Sequence, residues 1–219
     1  MRLFAITDIH GKNELFRKAL KVIGLKKTDK LILLGDLIDR GEDSKGILDT
    51  IFLLIESGFD IICLKGNHEQ MFLDAFMNKN NLNLWVLNGG DKTLSSFLTS
   101  SIDKIPQKYI ELIKSFRYYY EIEEYILVHA ALNMKIDNPY SDNRTIVWER
   151  DPLKYFNCDW LNDRKLIHGH NPISQEDILF SIHKNKSIIN IDNGVYIKKA
   201  GFGSMSVLEL KSKKIKFII

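Results

Sequence analysis

The sequence predicts one α/β domain, residues 1–219, built from two packed, mixed β-sheets flanked by helices. Three observations lead to this prediction. Strand-like and helix-like segments alternate in the first third, the middle is helical, and the remainder contains short strands separated by turns. A chain of 219 residues fits one large domain and buries enough apolar surface to form its own core. No linker-like stretch divides the chain.

The first third has the order β-α-β-α-β. Its segments are a strand at 3–7, a helix at 15–23 ending at Gly24, a strand at 31–34, a helix at 44–55 capped by Ser44 and ended by Gly58, and a strand at 61–64. Such alternation predicts parallel strands with helices packed on the sheet.

The middle of the chain, residues 69–116, has helical spacing of its apolar residues with polar interruptions. Asn185 and the segment 211–214 are predicted to form hairpin turns between later strands. Those later strands are predicted at 118–122, 125–129, 166–168, 178–183, 187–192, 205–210 and 215–219.

Composition excludes several classes of protein. Lysine and arginine number 31 against 28 acidic residues, and a net charge of +3 is too small to indicate a nucleic-acid partner. The longest apolar run, residues 51–55, is far shorter than a membrane span, and the N-terminus has no signal-peptide pattern. The two cysteines, Cys63 and Cys158, suit a reducing compartment. We therefore expect a soluble, cytoplasmic protein without membrane or nucleic-acid partners.

Polar residues of the kinds that bind metals collect where the predicted strands end. The carboxyl ends of strands in open α/β sheets are where ligands bind, so clusters distant in sequence can meet in one pocket. The five clusters are Asp8 with His10, Asp36 with Asp39 and Arg40, Asn67 with His68 and Glu69, His129, and His168 with His170.

Residues of these types at strand ends can also have purely structural roles. A single aspartate or histidine at a strand end usually has a structural role, and we assign such roles to His168 and His183. Five clusters at five strand ends are poorly explained in this way. Other chemistries fit worse, because the chain has neither a phosphate-binding P-loop nor a Gly-x-Ser-x-Gly motif. Cys158 and Arg164 have the spacing of cysteine-dependent phosphatases, but no glycine lies between them.

Taken in order, the clusters resemble the signature of the calcineurin-like metallophosphoesterases. More narrowly, they are similar to serine/threonine phosphoprotein phosphatases of the compact phage lambda-type and bacterial kind. The resemblance spans residues 1 to about 194. Its motifs are Asp8-x-His10, Gly35-Asp36-x-x-Asp39-Arg40-Gly41, Gly66-Asn67-His68-Glu69-Gln70-Met71, Leu87-Asn88-Gly89-Gly90, His129, Trp148-x-Arg150 and Gly169-His170.

The resemblance implies a metallophosphoesterase-type β-sandwich and a role for each matching residue. Two divalent ions, with Mn²⁺ the expected metal, would share Asp36; carboxylate, amide and imidazole ligands suit such an ion. The resemblance further implies that His68 is a general acid oriented by Asp39. The remaining implied roles are metal binding by Asp8, His10, Asn67, His129 and His170, and phosphate binding by Arg40 and Arg150.

The expected activity is hydrolysis of phosphomonoesters on proteins, with a phosphorylated protein or a small phosphoester as substrate. Serine/threonine and dual specificity both stay open. The alternative is a symmetrical dinucleoside-tetraphosphate hydrolase, against which the pair Asp39-Arg40 and the short chain argue. A nucleic-acid phosphoesterase and a non-catalytic metal-binding scaffold are further alternatives. Residues 132–147 match no motif.

Overall fold

The computed structural model describes residues 1–219 as an α/β fold with nine strands and nine α-helices. The strands are β1 Leu3–Ile6, β2 Lys30–Leu33, β3 Asp60–Cys63, β4 Tyr119–Ile122, β5 Tyr125–Val128, β6 Lys165–His168, β7 Ile188–Asn190, β8 Met205–Glu209 and β9 Lys214–Ile218. The helices are α1 Asn13–Ile23, α2 Ser44–Glu56, α3 Asn67–Met77, α4 Leu82–Trp85, α5 Asp91–Ser96, α6 Gln107–Lys114, α7 Asn143–Trp148, α8 Cys158–Leu161 and α9 Gln175–His183.

The strands form two mixed sheets, as the sequence predicts. One has the order β3-β2-β1-β8-β9, in which β1, β2 and β3 are parallel and β8 is antiparallel to both neighbours. The other has the order β4-β5-β6-β7, in which only β4 is antiparallel. The parallel strands of each sheet therefore direct their carboxyl ends, and the loops that follow, to one edge.

The core has one layer between the sheets and one layer under the helices. Along β1, Leu3 and Ala5 pack against residues of the second sheet such as Leu127. Phe4 and Ile6 face the other way and pack with helix residues such as Phe16. Because both faces of β1 are buried, its sequence is continuously apolar rather than alternating.

Most predicted boundaries are confirmed. Helix α1 ends at Gly24, whose φ of 54° is left-handed, and the middle of the chain is helical. The segment 211–214 joins the antiparallel pair β8 and β9 as predicted. None of the helices combines the length and apolar character that a membrane span requires.

Three local predictions are wrong. The segment 178–183 belongs to helix α9 rather than to a strand, because Ser174 caps the helix by accepting a hydrogen bond from the Asp177 N–H. Asn185 consequently lies in a left-handed turn between α9 and β7, not in a hairpin. Helix α2 is capped by Asp43, whose side chain accepts from the Gly46 N–H, and Ser44 is its first residue.

Candidate metal centre

The loops that follow β1, β2, β5 and β6 are joined to one another by backbone hydrogen bonds. The His10 N–H donates to the Asp36 carbonyl oxygen at 2.9 Å, and the Gly169 N–H donates to the His129 carbonyl oxygen at 2.8 Å. The His170 N–H donates to the Asp8 carboxylate at 3.0 Å, across 162 positions of sequence. The strand ends therefore converge as the sequence predicts.

A first group of candidate ligand atoms surrounds one oxygen of Asp36. His10 Nε2 lies 3.6 Å from Asp36 Oδ2 and 4.0 Å from Asp8 Oδ1. His68 Nε2 lies 3.8 Å from the same Asp36 oxygen. All four side chains are buried and form a compact, water-poor cluster, in which Asp8, His10 and Asp36 are the candidate metal ligands.

A second group surrounds the other oxygen of Asp36. His129 Nε2 lies 3.4 Å from Asp36 Oδ1 and 3.1 Å from both Asn67 Oδ1 and His170 Nδ1. Asp36 thus places one oxygen in each group, an arrangement in which one carboxylate can bridge two cations. The structure brings together all six residues that the resemblance implies as metal ligands.

The ring orientations fit metal binding. Nδ1 of His129 contacts the Leu34 carbonyl oxygen at 2.9 Å, and Nδ1 of His10 contacts that of Ile38 at 3.2 Å. Such a contact makes Nδ1 the protonated nitrogen and leaves the Nε2 lone pair facing the centre. Burial lowers the pKa of His10 well below its usual value and that of His170 to about 2. Neutral imidazoles are the form that binds metals, so the donor set fits divalent cations.

Three buried polar atoms of residues at or next to the centre have no hydrogen-bond partner within the protein: His68 Nε2, His170 Nε2 and Asp192 Oδ2. Orphaned buried polar atoms are rare and costly in folded proteins. Their concentration at one place is expected where the protein is built to hold another group.

The backbone at the centre is held in a sparsely populated conformation. Left-handed φ angles are uncommon for residues with a Cβ, and each costs about 1–3 kcal/mol. Because the strained residues are the ones that carry the polar side chains, the loops are shaped to direct those side chains inward. Left-handed φ occurs at Asp8 (50°), His10 (45°), Asp36 (51°), Asp39 (69°), Arg40 (65°) and His170 (71°).

Glu69 holds two of these loops together. Its buried carboxylate accepts backbone N–H groups of Gly66 and Asp36 at Oε2, both at 2.8 Å, and of Leu37 at Oε1 at 2.7 Å. Burial, and after it the charge of the neighbouring Asp36, raise the pKa of Glu69 to about 7. The backbone N–H donors lower this pKa but do not outweigh the two other effects. The geometry gives Glu69 a positioning role that the sequence analysis did not assign.

His68 and Asp39 form a buried hydrogen-bonded pair. His68 Nδ1 lies 2.8 Å from Asp39 Oδ2, which also accepts from Trp85 Nε1 at 2.9 Å. The Thr93 hydroxyl donates to Asp39 Oδ1 at 2.6 Å. Burial lowers the pKa of His68, but the carboxylates of Asp36 and Asp39 outweigh burial and the pKa is raised. The pair therefore favours a protonated imidazole whose Nε2 is directed at the centre.

The two predicted phosphate-binding arginines lie at different depths. Arg40 Nη1 lies 3.0 Å from His10 Nε2, and its guanidinium stacks over the Tyr196 ring at 4.6 Å. Arg150 is exposed, and its Nη1 donates to Asn171 Oδ1 at 3.1 Å. Since Asn171 follows His170 in the chain, Arg150 lies at the rim of the second ligand group.

Sequence reasoning assigned no role to several residues of this region. Asp192 is the second residue after β7, as Asp8 is the second residue after β1, so its strand-end position was a usable signal. Trp85, Thr93 and Tyr196 carry no such signal, because they come from helices and a late loop. His168 belongs to neither ligand group; it is buried and its Nδ1 contacts the Gly169 carbonyl oxygen at 3.0 Å, in line with its structural assignment.

Fold and site together define a metallophosphoesterase, and the comparison of sequences gives the same family. Residues 1–197 match the profile of the calcineurin-like phosphoesterases, and the chain belongs to this family. The family uses a binuclear divalent metal site, for which the two ligand groups around Asp36 are the candidates.

Among curated relatives, a serine/threonine-protein phosphatase 2 of Salmonella typhimurium is 33% identical over 164 residues, which cover 69% of each chain. The protein of the same name from Escherichia coli K12 is 34% identical over 136 residues, 58% of this chain and 57% of the relative. A symmetrical bis(5'-nucleosyl)-tetraphosphatase of Nitrosomonas europaea is 30% identical over 133 residues, 60% of this chain and 45% of the relative. Several relatives are thus matched over about half of their length.

Solved structures share the fold at low sequence identity. A putative diadenosine tetraphosphatase superposes with a TM-score of 0.66 at 17% identity, covering 99% of this chain and 92% of the other. A serine/threonine phosphatase from Saccharomyces cerevisiae superposes with a TM-score of 0.66 at 14% identity, covering 100% and 79%. At these identities the likeness establishes the metallophosphoesterase fold alone.

Proposed function

We propose that this chain is a binuclear metal-dependent phosphomonoester hydrolase that acts as a serine/threonine protein phosphatase. The observation that carries the proposal is the bridging position of Asp36, with Oδ2 3.6 Å from His10 Nε2 and Oδ1 3.4 Å from His129 Nε2. The names of the Salmonella and Escherichia relatives support the protein substrate.

The two ligand groups would hold the two cations. Mn²⁺ is the proposed ion, because the donors are carboxylate, amide and imidazole rather than thiolate. When bound, the two ions would supply neutralisation of the phosphate charge and activation of water as the nucleophile at neutral pH. The proposed ligands are Asp8, His10 and Asp36 for one ion and Asp36, Asn67, His129 and His170 for the other.

The chain's own residues then position the phosphate and supply a proton. Arg40 and Arg150 are proposed to bind phosphate oxygens, for which planar guanidinium groups are well suited. His68 is proposed to protonate the leaving oxygen through Nε2, which is buried and without a protein partner. Asp39 orients the His68 ring and stabilises its charged form through the 2.8 Å contact to Nδ1.

The His68–Asp39 pair also favours a protein substrate over a dinucleoside tetraphosphate. A serine or threonine alkoxide is a very poor leaving group, so its departure gains much from a general acid. A nucleoside diphosphate leaves readily without a proton. A buried acid such as His68, whose partner Asp39 is held by Trp85 and Thr93, is therefore most useful for an alkyl phosphate. We further propose action in the cytoplasm, where the free thiols of Cys63 and Cys158 would persist.

The decisive experiment compares kcat/KM for a phosphoserine peptide, a phosphotyrosine peptide and diadenosine tetraphosphate on protein stripped of metal and reloaded with Mn²⁺. We expect the phosphoserine peptide to be the best of the three, with no turnover before reloading. A preference for diadenosine tetraphosphate of 100-fold or more, about 2.7 kcal/mol, would instead establish the tetraphosphatase alternative.

A further inference from the structure

A cavity of about 500 Å³ opens beside the candidate metal centre, along α7 and the segment that follows it. Arg150 lines the cavity and also donates to Asn171, the residue after His170. Arg150 therefore connects the cavity to the second ligand group. Its volume is within the range of sites that bind small molecules or part of a larger substrate.

The acidic groups of this cavity are already engaged by donors of the protein. Asp142 accepts the Thr145 N–H at 3.1 Å, the Thr145 hydroxyl at 2.7 Å and the Asn133 amide at 3.1 Å. Glu149 accepts the Asp151 N–H at 3.1 Å and the Lys154 ammonium at 2.7 Å. Lys154 is thus ion-paired with Glu149, whereas Asp142 interacts electrostatically with Arg144 but forms no ion pair with it.

Arg144 and Arg150 are the two cations of the cavity that pair with no carboxylate of the protein. Arg144 is exposed and lies four residues before Trp148 on α7, so the guanidinium and the indole share one face of the helix. The lining carries Arg144, Arg150 and Lys154 against Asp142 and Glu149, so it keeps a net positive charge. Two guanidinium groups outside any ion pair can therefore bind anions.

We propose that Arg144 binds a second anionic group of the substrate, next to the scissile phosphate that Arg150 contacts. This proposal rests on the proposed function and defines its substrate class as phosphoserine or phosphothreonine peptides with an acidic side chain near the phosphorylated residue. The same guanidinium chemistry would bind the next phosphate of a polyphosphate chain. Trp148 forms an aromatic wall against which the substrate's flanking part packs.

The test measures kcat/KM of wild type, Arg144→Gln and the matched control Arg17→Gln, an exposed arginine on α1. The substrates are p-nitrophenyl phosphate, a phosphoserine peptide with neutral flanks, the same peptide with acidic flanks, and diadenosine tetraphosphate. For Arg144→Gln we expect the ratio of acidic to neutral peptide to fall about 3–10-fold, and Arg144→Lys to restore part of it. The wild-type ratio should also decrease at high salt.

If the ratio of kcat/KM for the acidic peptide to that for the neutral peptide is unchanged in Arg144→Gln, or falls equally in Arg17→Gln, Arg144 does not bind a second anionic group. The proposed phosphatase function would be unaffected by that result. If wild type hydrolyses diadenosine tetraphosphate but no phosphopeptide, the proposed function fails. In that case the role of Arg144 is tested by the ratio of kcat/KM for diadenosine tetraphosphate to kcat/KM for p-nitrophenyl phosphate. A lower ratio in Arg144→Gln than in wild type supports binding of a second phosphate by Arg144, and an unchanged ratio refutes it.

Discussion

Replacing Gly66 by alanine tests whether the loop before α3 determines the position of Asp36. A Cβ at residue 66 would lie 2.1 Å from Asp36 Oδ1 and 2.5 Å from the Asp36 backbone nitrogen. Ordinary van der Waals contact begins at 3.4 Å, so the carboxylate oxygen would have to move by 3.4 − 2.1 = 1.3 Å. The backbone contact cannot be relieved by rotating a side chain.

A displacement of about 1 Å at a catalytic centre can reduce turnover by a factor of about 100. We therefore expect Gly66→Ala to lose about 100-fold or more in kcat/KM and to bind Mn²⁺ more weakly. Overpacking should cost about 1–3 kcal/mol of unfolding free energy, measured by urea denaturation. The measurements are initial rates with phosphoserine peptide and metal content after equilibrium dialysis.

Gly24→Ala is the matched control. Gly24 has a left-handed φ of 54° but no atom within 4 Å of a built Cβ. Alanine there should lower stability by about 1 kcal/mol while leaving turnover and metal content unchanged. The reasoning is refuted if Gly66→Ala keeps metal affinity and turnover within threefold of wild type.

Three further predictions concern acid catalysis, metal removal and pH. His68→Asn should reduce turnover of phosphoserine peptide about 10²–10⁴-fold but that of p-nitrophenyl phosphate much less, since phenolate leaves without a proton. Asp36→Asn should reduce turnover of both substrates alike. Equal losses for the two substrates in the metal-loaded His68→Asn variant would argue against proton donation by His68. Chelation should abolish turnover while the far-ultraviolet circular dichroism stays unchanged, because the core forms without metal; full activity after verified metal removal would contradict this. Asp29→Asn should lower the melting temperature by about 2–4 °C at pH 7, since Asp29 accepts Arg2 Nε at 3.1 Å and Nη2 at 2.6 Å. The hydrogen bonds from Arg2 lower the pKa of Asp29, so this stabilisation is complete above the ordinary pKa of about 4 and decreases as the pH falls through the lowered pKa. A difference in melting temperature between the two proteins that does not shrink as the pH falls below about 4 would argue against the ion pair as its cause.

The sequence predicts the site better than it predicts the details of the fold. Asp8, Asp36 and His129 follow buried strands, and parallel strands necessarily bring their carboxyl ends to one edge. The same pattern does not show that Asp36 divides its two oxygens between two ligand groups, because loop conformation determines that. Its left-handed φ of 51° is visible only in the structure.

The wrong and missing assignments have local physical reasons. Residues 178–183 form a short, largely apolar run that resembles a buried strand, and the serine cap at Ser174 favours the helix instead. Trp85 reaches Asp39 only because α4 packs beside the centre, a tertiary contact without a sequence signal. Arg144 falls in the segment 132–147, which matches no motif, so only the cavity reveals its position.

The most direct test of the account is an anomalous-scattering map from crystals of the Mn²⁺-loaded protein, with data collected at the manganese absorption edge. We predict two peaks that share Asp36, one beside His10 and Asp8 and the other beside His129, Asn67 and His170. A single peak, or peaks away from Asp36, would contradict a binuclear centre and with it the proposed hydrolysis of phosphomonoesters.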